Sequence, residues 1–321
     1  MLAALAAVAC LTAPDASRPS TPPVVVAPAE FQRDYETAKA GRSSLPRAVE
    51  NTARGYRFVF VGGFRNERMP AYFSQNVKEL RRCGVPRTSI HRVEPGSDTT
   101  VEGNAKRFRE EVTRLSEKGP EPLIVIAHSR GACDAVAFAL ENPEFVEARV
   151  AGFFLLQGPF GGTALADFLA GDGPPVDGRM SWWQRGLARL AAAIEGFALS
   201  RGWHDGLLGL SRRSAGSYWA KMLAEHAPAV PLVSPRIYYV TSATERKLGL
   251  FHRATSAYLG VHFGPNDGVV AVEDQSIRGL GTVLAELDLG HADLVRRFPA
   301  GRANPRLRTA LVDAILMSLP R

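Results

Sequence analysis

The stretch LIVIAHSRGACDA, residues 123–135, runs four branched apolar residues straight into Ala127-His128-Ser129-Arg130-Gly131. A buried strand has to hand over to a helix at this point. If it does so through a very tight turn, the apex residue is forced into a strained backbone conformation and its side chain projects from the sheet edge. Strand and helix then approach so closely that the residues two before and two after the apex must be small. Ala127 and Gly131 meet that condition on both sides of Ser129, which marks Ser129 as a candidate nucleophile rather than an ordinary turn serine. A serine hydroxyl is a poor nucleophile at neutral pH, so it needs an imidazole base held in the right tautomer by a carboxylate.

Seven histidines are available. His128 adjoins Ser129, but adjacent side chains on a sharp turn point apart. His91 falls in a predicted strand, and His204, His226, His252 and His262 carry no local signal. His291 sits in ELDLGHADLV, in a loop directly after the last predicted strand and a glycine, where functional groups gather at the carboxyl ends of an open α/β sheet. For the carboxylate, FGPNDGVVAVED places Asp267 in a Pro-Asn-Asp-Gly turn. Such an Asp is by default a turn former. What raises it is the chain order Ser129, Asp267, His291, expected for an α/β-hydrolase triad. Asp274 and Asp288 are less well placed, and Asp293 reads as a local hydrogen-bonder or helix cap.

The elements that must position these residues alternate from about residue 55 onward. RFVFV (57–61) reads as a buried strand ending at Gly62-Gly63, 70–83 as a helix stopping at Gly84, and SIHRV (89–93) as a short strand. Residues 99–118 form a helix with Val101, Ala105, Phe108, Val112 and Leu115 on one face. A helix over 130–141 follows the serine, then strands at 150–156, 236–242 and 282–288, and a final helix near 305–318. Apolar runs without clean alternation, separated by helices, imply a mostly parallel sheet covered on both faces. Residues 160–230 break that rhythm. There Trp183, Leu187, Leu190, Ile194 and Phe197 share one helical face. Trp182 and Trp183 together with Leu187 and Leu190 are candidates for a lid or acyl-binding surface.

As a set, VFVGGF, IVIAHSRGA, LLQGPFGGTALADFL, GPNDGVVAVED and GHADLV resemble the bacterial true lipases of the α/β-hydrolase superfamily, in motif order over roughly residues 56–318. The resemblance implies an α/β-hydrolase fold with a helical lid or cap insertion at about 160–230. It also implies a serine carboxylic-ester hydrolase acting through an acyl-enzyme on lipid or small ester substrates. The oxyanion hole would use the backbone N–H groups of Phe64 and Arg130. One departure concerns that loop: the family carries His-Gly where this chain has Gly62-Gly63. Many relatives hold a structural Ca2+, for which Asp293 would be one ligand, but no second ligand has recognisable spacing, and no metal or other cofactor is expected. A short-chain esterase, an acyltransferase or polyester hydrolase with the same triad, and a non-catalytic lipid-binding protein on the same scaffold are the alternatives.

The totals agree with a soluble globular chain. Its 321 residues are 45% apolar and 22% charged, enough to bury a substantial core. The net charge of +7 is spread without basic blocks, which argues against nucleic-acid binding. Of three cysteines, Cys83 and Cys133 read as isolated thiols. The first ten residues, MLAALAAVAC, are too short to span a bilayer at roughly 20 residues. They end at Cys10 ahead of a Pro/Ser/Thr/Ala stretch, an order similar to a bacterial lipoprotein signal, although Ala7 stands where that signal usually has Leu. The expected organisation is therefore a signal and Pro-rich linker over 1–50 and a hydrolase domain over 51–321. Export would be either by secretion or by membrane anchoring, with membrane-surface association through lipidated Cys10 or the lid; the alternative is a merely disordered N-terminus on a cytoplasmic protein.

Overall fold

The computed structural model describes residues 20–42, 45–66, 69–163, 166–167, 204–245, 250–296 and 304–320. Six strands form one all-parallel sheet: β1 (Arg57–Val61), β2 (Ile90–Val93), β3 (Leu123–His128), β4 (Val150–Leu156), β5 (Ile237–Ala243) and β6 (Thr282–Asp288). Their spatial order is β2-β1-β3-β4-β5-β6. The chain steps outward from β1 to β2, then returns to place β3 on the other side of β1. The carboxyl ends of β1 and β3 therefore diverge at a topological switch point, where open α/β sheets form crevices. Val61 pairs with Ala127 there, so the segments following both residues leave the sheet side by side.

The inner strands β1, β3 and β4 are buried on both faces, which is why their sequences are continuous apolar runs, whereas the edge strands β2 and β6 are partly exposed. Alternate residues face opposite layers. Phe58, Phe60, Ile124, Ile126, Phe154 and Val240 join the core under α1 (Pro28–Lys39), α2 (Arg47–Ala53), α3 (Ser74–Arg82) and α10 (Arg306–Met317). Val59, Val61, Val125, Phe153, Leu155 and Tyr239 join the core under α4 (Val101–Ser116), α5 (Arg130–Glu141), α6 (Pro143–Arg149) and α8 (Arg212–Glu225). Two further helices are α7 (His204–Leu208) and α9 (Leu250–Phe263). No described helix is long and apolar enough to cross a membrane. Cys83 and Cys133 are buried free thiols.

The linker expected up to residue 50 requires correction. Val24 donates its N–H to the Ala151 carbonyl at 2.9 Å, and α1 buries Phe31, Tyr35 and Ala38 on one face. These positions follow i, i+4, i+7, the spacing of a core-facing helix, and Pro28 sits in the first turn, where its missing N–H costs nothing. The high Pro and Ala content of this region masks that pattern. The folded unit thus includes α1 and α2. Residues 1–19, with Cys10, and residues 168–203, with Trp182, Trp183, Leu187 and Leu190, lie outside the described residues.

Candidate active site

β3 runs buried to His128, and Ser129 turns the chain with φ 55° and ψ −129° before α5 begins at Arg130. A non-glycine residue with such a φ is strained and persists only where its surroundings hold it. Here the Ser129 N–H donates to the Leu156 carbonyl at 2.8 Å, and the Ala132 N–H donates to the Ser129 carbonyl at 2.9 Å. Gly131 is required by close approach: a Cβ there would lie 2.5 Å from the Gly62 carbonyl oxygen and 2.8 Å from that of Val61. The segment after β1 comes equally near. A Cβ on Gly63 would stand 2.8 Å from the Ser129 Cβ, so the glycine pair lets backbone lie against the serine side chain.

The structure brings the three expected side chains together. His291 Nε2 lies 2.9 Å from Ser129 Oγ, and His291 Nδ1 lies 2.8 Å from Asp267 Oδ2. The residues are separated by 162 and 24 positions in the chain. Asp267 is fully buried. Its Oδ1 accepts from the N–H groups of Val269 and Val270 at 2.9 and 2.8 Å, and Gln275 Nε2 donates to its Oδ2 at 3.4 Å. The His291 N–H donates to the Asp267 carbonyl at 3.0 Å, so backbone and side chains tie the two loops together. His291 keeps a small exposed fraction, 12% of its side chain.

The other carboxylates considered are committed elsewhere. Asp274 pairs with Arg212 at the start of α8, and burial outweighs that pair to raise its carboxyl to about 6. Asp288 accepts from Thr244 Oγ1 at 2.8 Å. Asp293 Oδ2 accepts from the Gly290 N–H at 3.0 Å, the local bonding expected of it. Among the described residues, Glu79, Cys83 and Asp313 form a cluster with metal-ligand spacing. It sits around α3 and α10, which carry none of Ser129, Asp267 and His291, and Glu79 already pairs with Arg82.

Sequence reasoning missed the groups that support this site. Gln157, fully buried with φ 53°, donates through Nε2 to Ser242 Oγ and, at 3.2 Å, to the Gly290 carbonyl. Gln275 bonds both backbone groups of Ser242, receiving its N–H at 2.7 Å and donating to its carbonyl at 2.8 Å. A polar residue directly after a seven-residue buried strand was the available signal for Gln157. The Arg130 side chain is buried, donates to the Thr99 carbonyl, and lies over the Phe64 ring at 6.0 Å. One turn further along α5, burial raises the Asp134 carboxyl to about 7, against the lowering influence of Arg130. Beside Phe64, the residues Ala166, Leu207 and Leu210 form a small apolar cluster of their own.

No protein-family model and no curated protein matches the chain. Solved structures do share its fold. A carboxyl esterase of metagenomic origin is 22% identical with a TM-score of 0.59, over 82% of this chain and 74% of the esterase. A Bacillus licheniformis lipase in its mature form is 15% identical with a TM-score of 0.54, over 74% of this chain and 84% of the lipase. The same lipase in its propeptide form is 17% identical with a TM-score of 0.52, over 74% of this chain and 46% of that one. Sheet topology and these likenesses together assign the α/β-hydrolase fold.

Proposed function

We propose that the protein is a serine carboxylic-ester hydrolase, lipase-like in substrate class. The observation that carries this reading is the unbroken line Ser129 Oγ, His291 Nε2, His291 Nδ1, Asp267 Oδ2, with links of 2.9 and 2.8 Å, behind a serine held at positive φ. In this reading Ser129 Oγ attacks the acyl carbonyl while His291 Nε2 takes its proton. Asp267, bonded to Nδ1–H, keeps Nε2 available as the acceptor and stabilises the imidazolium that forms. The backbone N–H groups of Phe64 and Arg130 receive the developing oxyanion, and each such donor contributes about 3 kcal/mol to the transition state. The imidazolium then protonates the departing alcohol. Water, activated by the same histidine, releases the acid from the acyl-enzyme.

The esterase and lipase activities named for the structural neighbours favour acyl esters as substrates. Phe64, half-buried and backed by the buried Ala166, Leu207 and Leu210, supplies apolar surface in the oxyanion loop against which an acyl chain would bury. Ser129→Ala tests the reading. It should lower p-nitrophenyl ester turnover by at least about 10³-fold and abolish labelling by a fluorophosphonate probe, with little change in melting temperature. Undiminished turnover in that variant would reject the assignment.

A further inference from the structure

Gly62 and Gly63 supply no side chain to anchor the start of the loop after β1, and a side chain at 63 is excluded by Ser129. Further along, the Arg65 N–H donates to Ser97 Oγ at 2.7 Å, but Gly63 itself is held from another element. The Gly63 N–H donates to the Tyr72 hydroxyl oxygen at 3.3 Å, and that hydroxyl lies 2.5 Å from His128 Nδ1. His128 Nε2 lies 2.6 Å from the His291 carbonyl oxygen, with Gln157 Oε1 at 3.2 Å as a second acceptor. Proton positions follow from donor capacity. A carbonyl only accepts, so Nε2 carries the hydrogen, Nδ1 is the bare nitrogen, and the Tyr72 hydroxyl donates to it. Burial, reinforced by the neighbouring His291, holds His128 down at about 3, which keeps the ring in this single-proton form. The His128 ring is 4.8 Å from the His291 ring, so its neutrality also leaves room for a positive charge on His291.

The two ends of this chain of bonds meet the reaction at different points. The Gly63 carbonyl accepts from the Asn66 N–H at 3.2 Å. In a planar trans peptide the N–H points opposite to the C=O, so this bond aims the Phe64 N–H, while the Tyr72 bond fixes the preceding peptide plane at Gly63. At the other end, the His291 carbonyl is bound by His128 and its N–H by Asp267, which leaves the base loop little freedom.

We propose that Tyr72 and His128 form a positioning relay that holds the oxyanion loop and the base loop in register with Ser129. The relay rests on the serine-hydrolase reading, because its two ends are the groups assigned to the oxyanion and to proton transfer. A misplacement of about 1 Å at either end is enough to cost on the order of 100-fold in rate.

Tyr72→Phe removes the hydroxyl and keeps the ring. His128→Gln keeps a donor near the His291 carbonyl and removes the acceptor for Tyr72. For each variant and the double variant, kcat and KM on a p-nitrophenyl ester are measured per fluorophosphonate-labelled site, alongside melting temperature. Each single change should lower kcat per labelled site about 10- to 100-fold with KM within about threefold. The double variant should be no more than about threefold slower than the slower single one, because the bonds act in series. A kcat per labelled site within twofold of the parent for both singles would overturn the relay, as would single effects that multiply in the double variant. A parent protein that neither labels nor hydrolyses would instead overturn the hydrolase reading, and the relay with it.

Discussion

Asp267 has an unusually complete set of partners for a turn residue: two backbone N–H groups on Oδ1, and His291 with Gln275 on Oδ2. Two of these bonds would suit any Asx turn; the other two bind it to the imidazole and to Gln275, which in turn bonds Ser242 of β5. This separates its local from its proposed chemical role and makes Asp267→Asn informative. An asparagine oxygen can still accept from Val269 and Val270, so the turn survives. Its NH₂ would then face His291 Nδ1, which forces the proton onto Nε2 and removes the acceptor for the serine proton. The expected result is a fall in kcat of about 10⁴-fold with modest loss of thermal stability, measured with an ester substrate and by calorimetry. A fall below about tenfold would remove Asp267 from the proposed mechanism. From sequence, Asp267 was reachable through turn chemistry and His291 through its position after a strand. Tyr72 and Gln275 were not, because their partners lie far away in the chain and no local pattern reports them, and for Gln157 the only signal was its polarity directly after a buried strand.

Among the elements, strands were the most legible. A strand sandwiched between two helical layers has to be apolar on both faces, so RFVFV, LIVIAH and VAGFFLL stand out without any knowledge of pairing. Helix α1 was not legible, because three apolar positions at helical spacing are diluted by flanking Pro and Ala. Its energetic weight is nevertheless that of a core element. Phe31 is fully buried and stacks at 6.4 Å on Phe154 of the central strand β4. Phe31→Ala should therefore lower unfolding free energy by about 3–5 kcal/mol, read from urea midpoints at unchanged slope. A loss under about 1 kcal/mol would mean that α1 does not belong to the cooperative unit.

For the whole molecule, pH acts through groups that ionise differently in the folded and unfolded chain. His128 is held at about 3 in the fold but titrates at roughly 6.5 when unfolded. Between those values the unfolded chain binds a proton that the folded chain refuses. The contribution is fully present above about pH 6.5 and is lost as pH falls towards 3, by at most about 1.4 kcal/mol per pH unit. Asp134, raised to about 7 by burial, has the opposite sign: its contribution is present below roughly pH 3.9 and is lost as pH rises through its folded value. Comparing the parent with His128→Gln cancels Asp134 and isolates the histidine. The gap in their melting temperatures should narrow between pH 7 and 4.5, and a constant gap would show that His128 is not held neutral.

Local properties are written in the sequence: which runs must be buried, that a strand meets a helix through small residues around Ser129, that Asp267 lies in a turn, and that His291 lies in a loop after a strand. Those properties depend on residue size, polarity and period, which neighbours in the chain suffice to express. Folding in three dimensions adds what no local pattern holds: the histidine 162 positions away reaches the serine, α1 closes one layer, and a tyrosine and a histidine link the loops on either side of the nucleophile. Such contacts arise from strand order and register, in which a shift of one strand position would carry every one of these polar groups out of hydrogen-bond range.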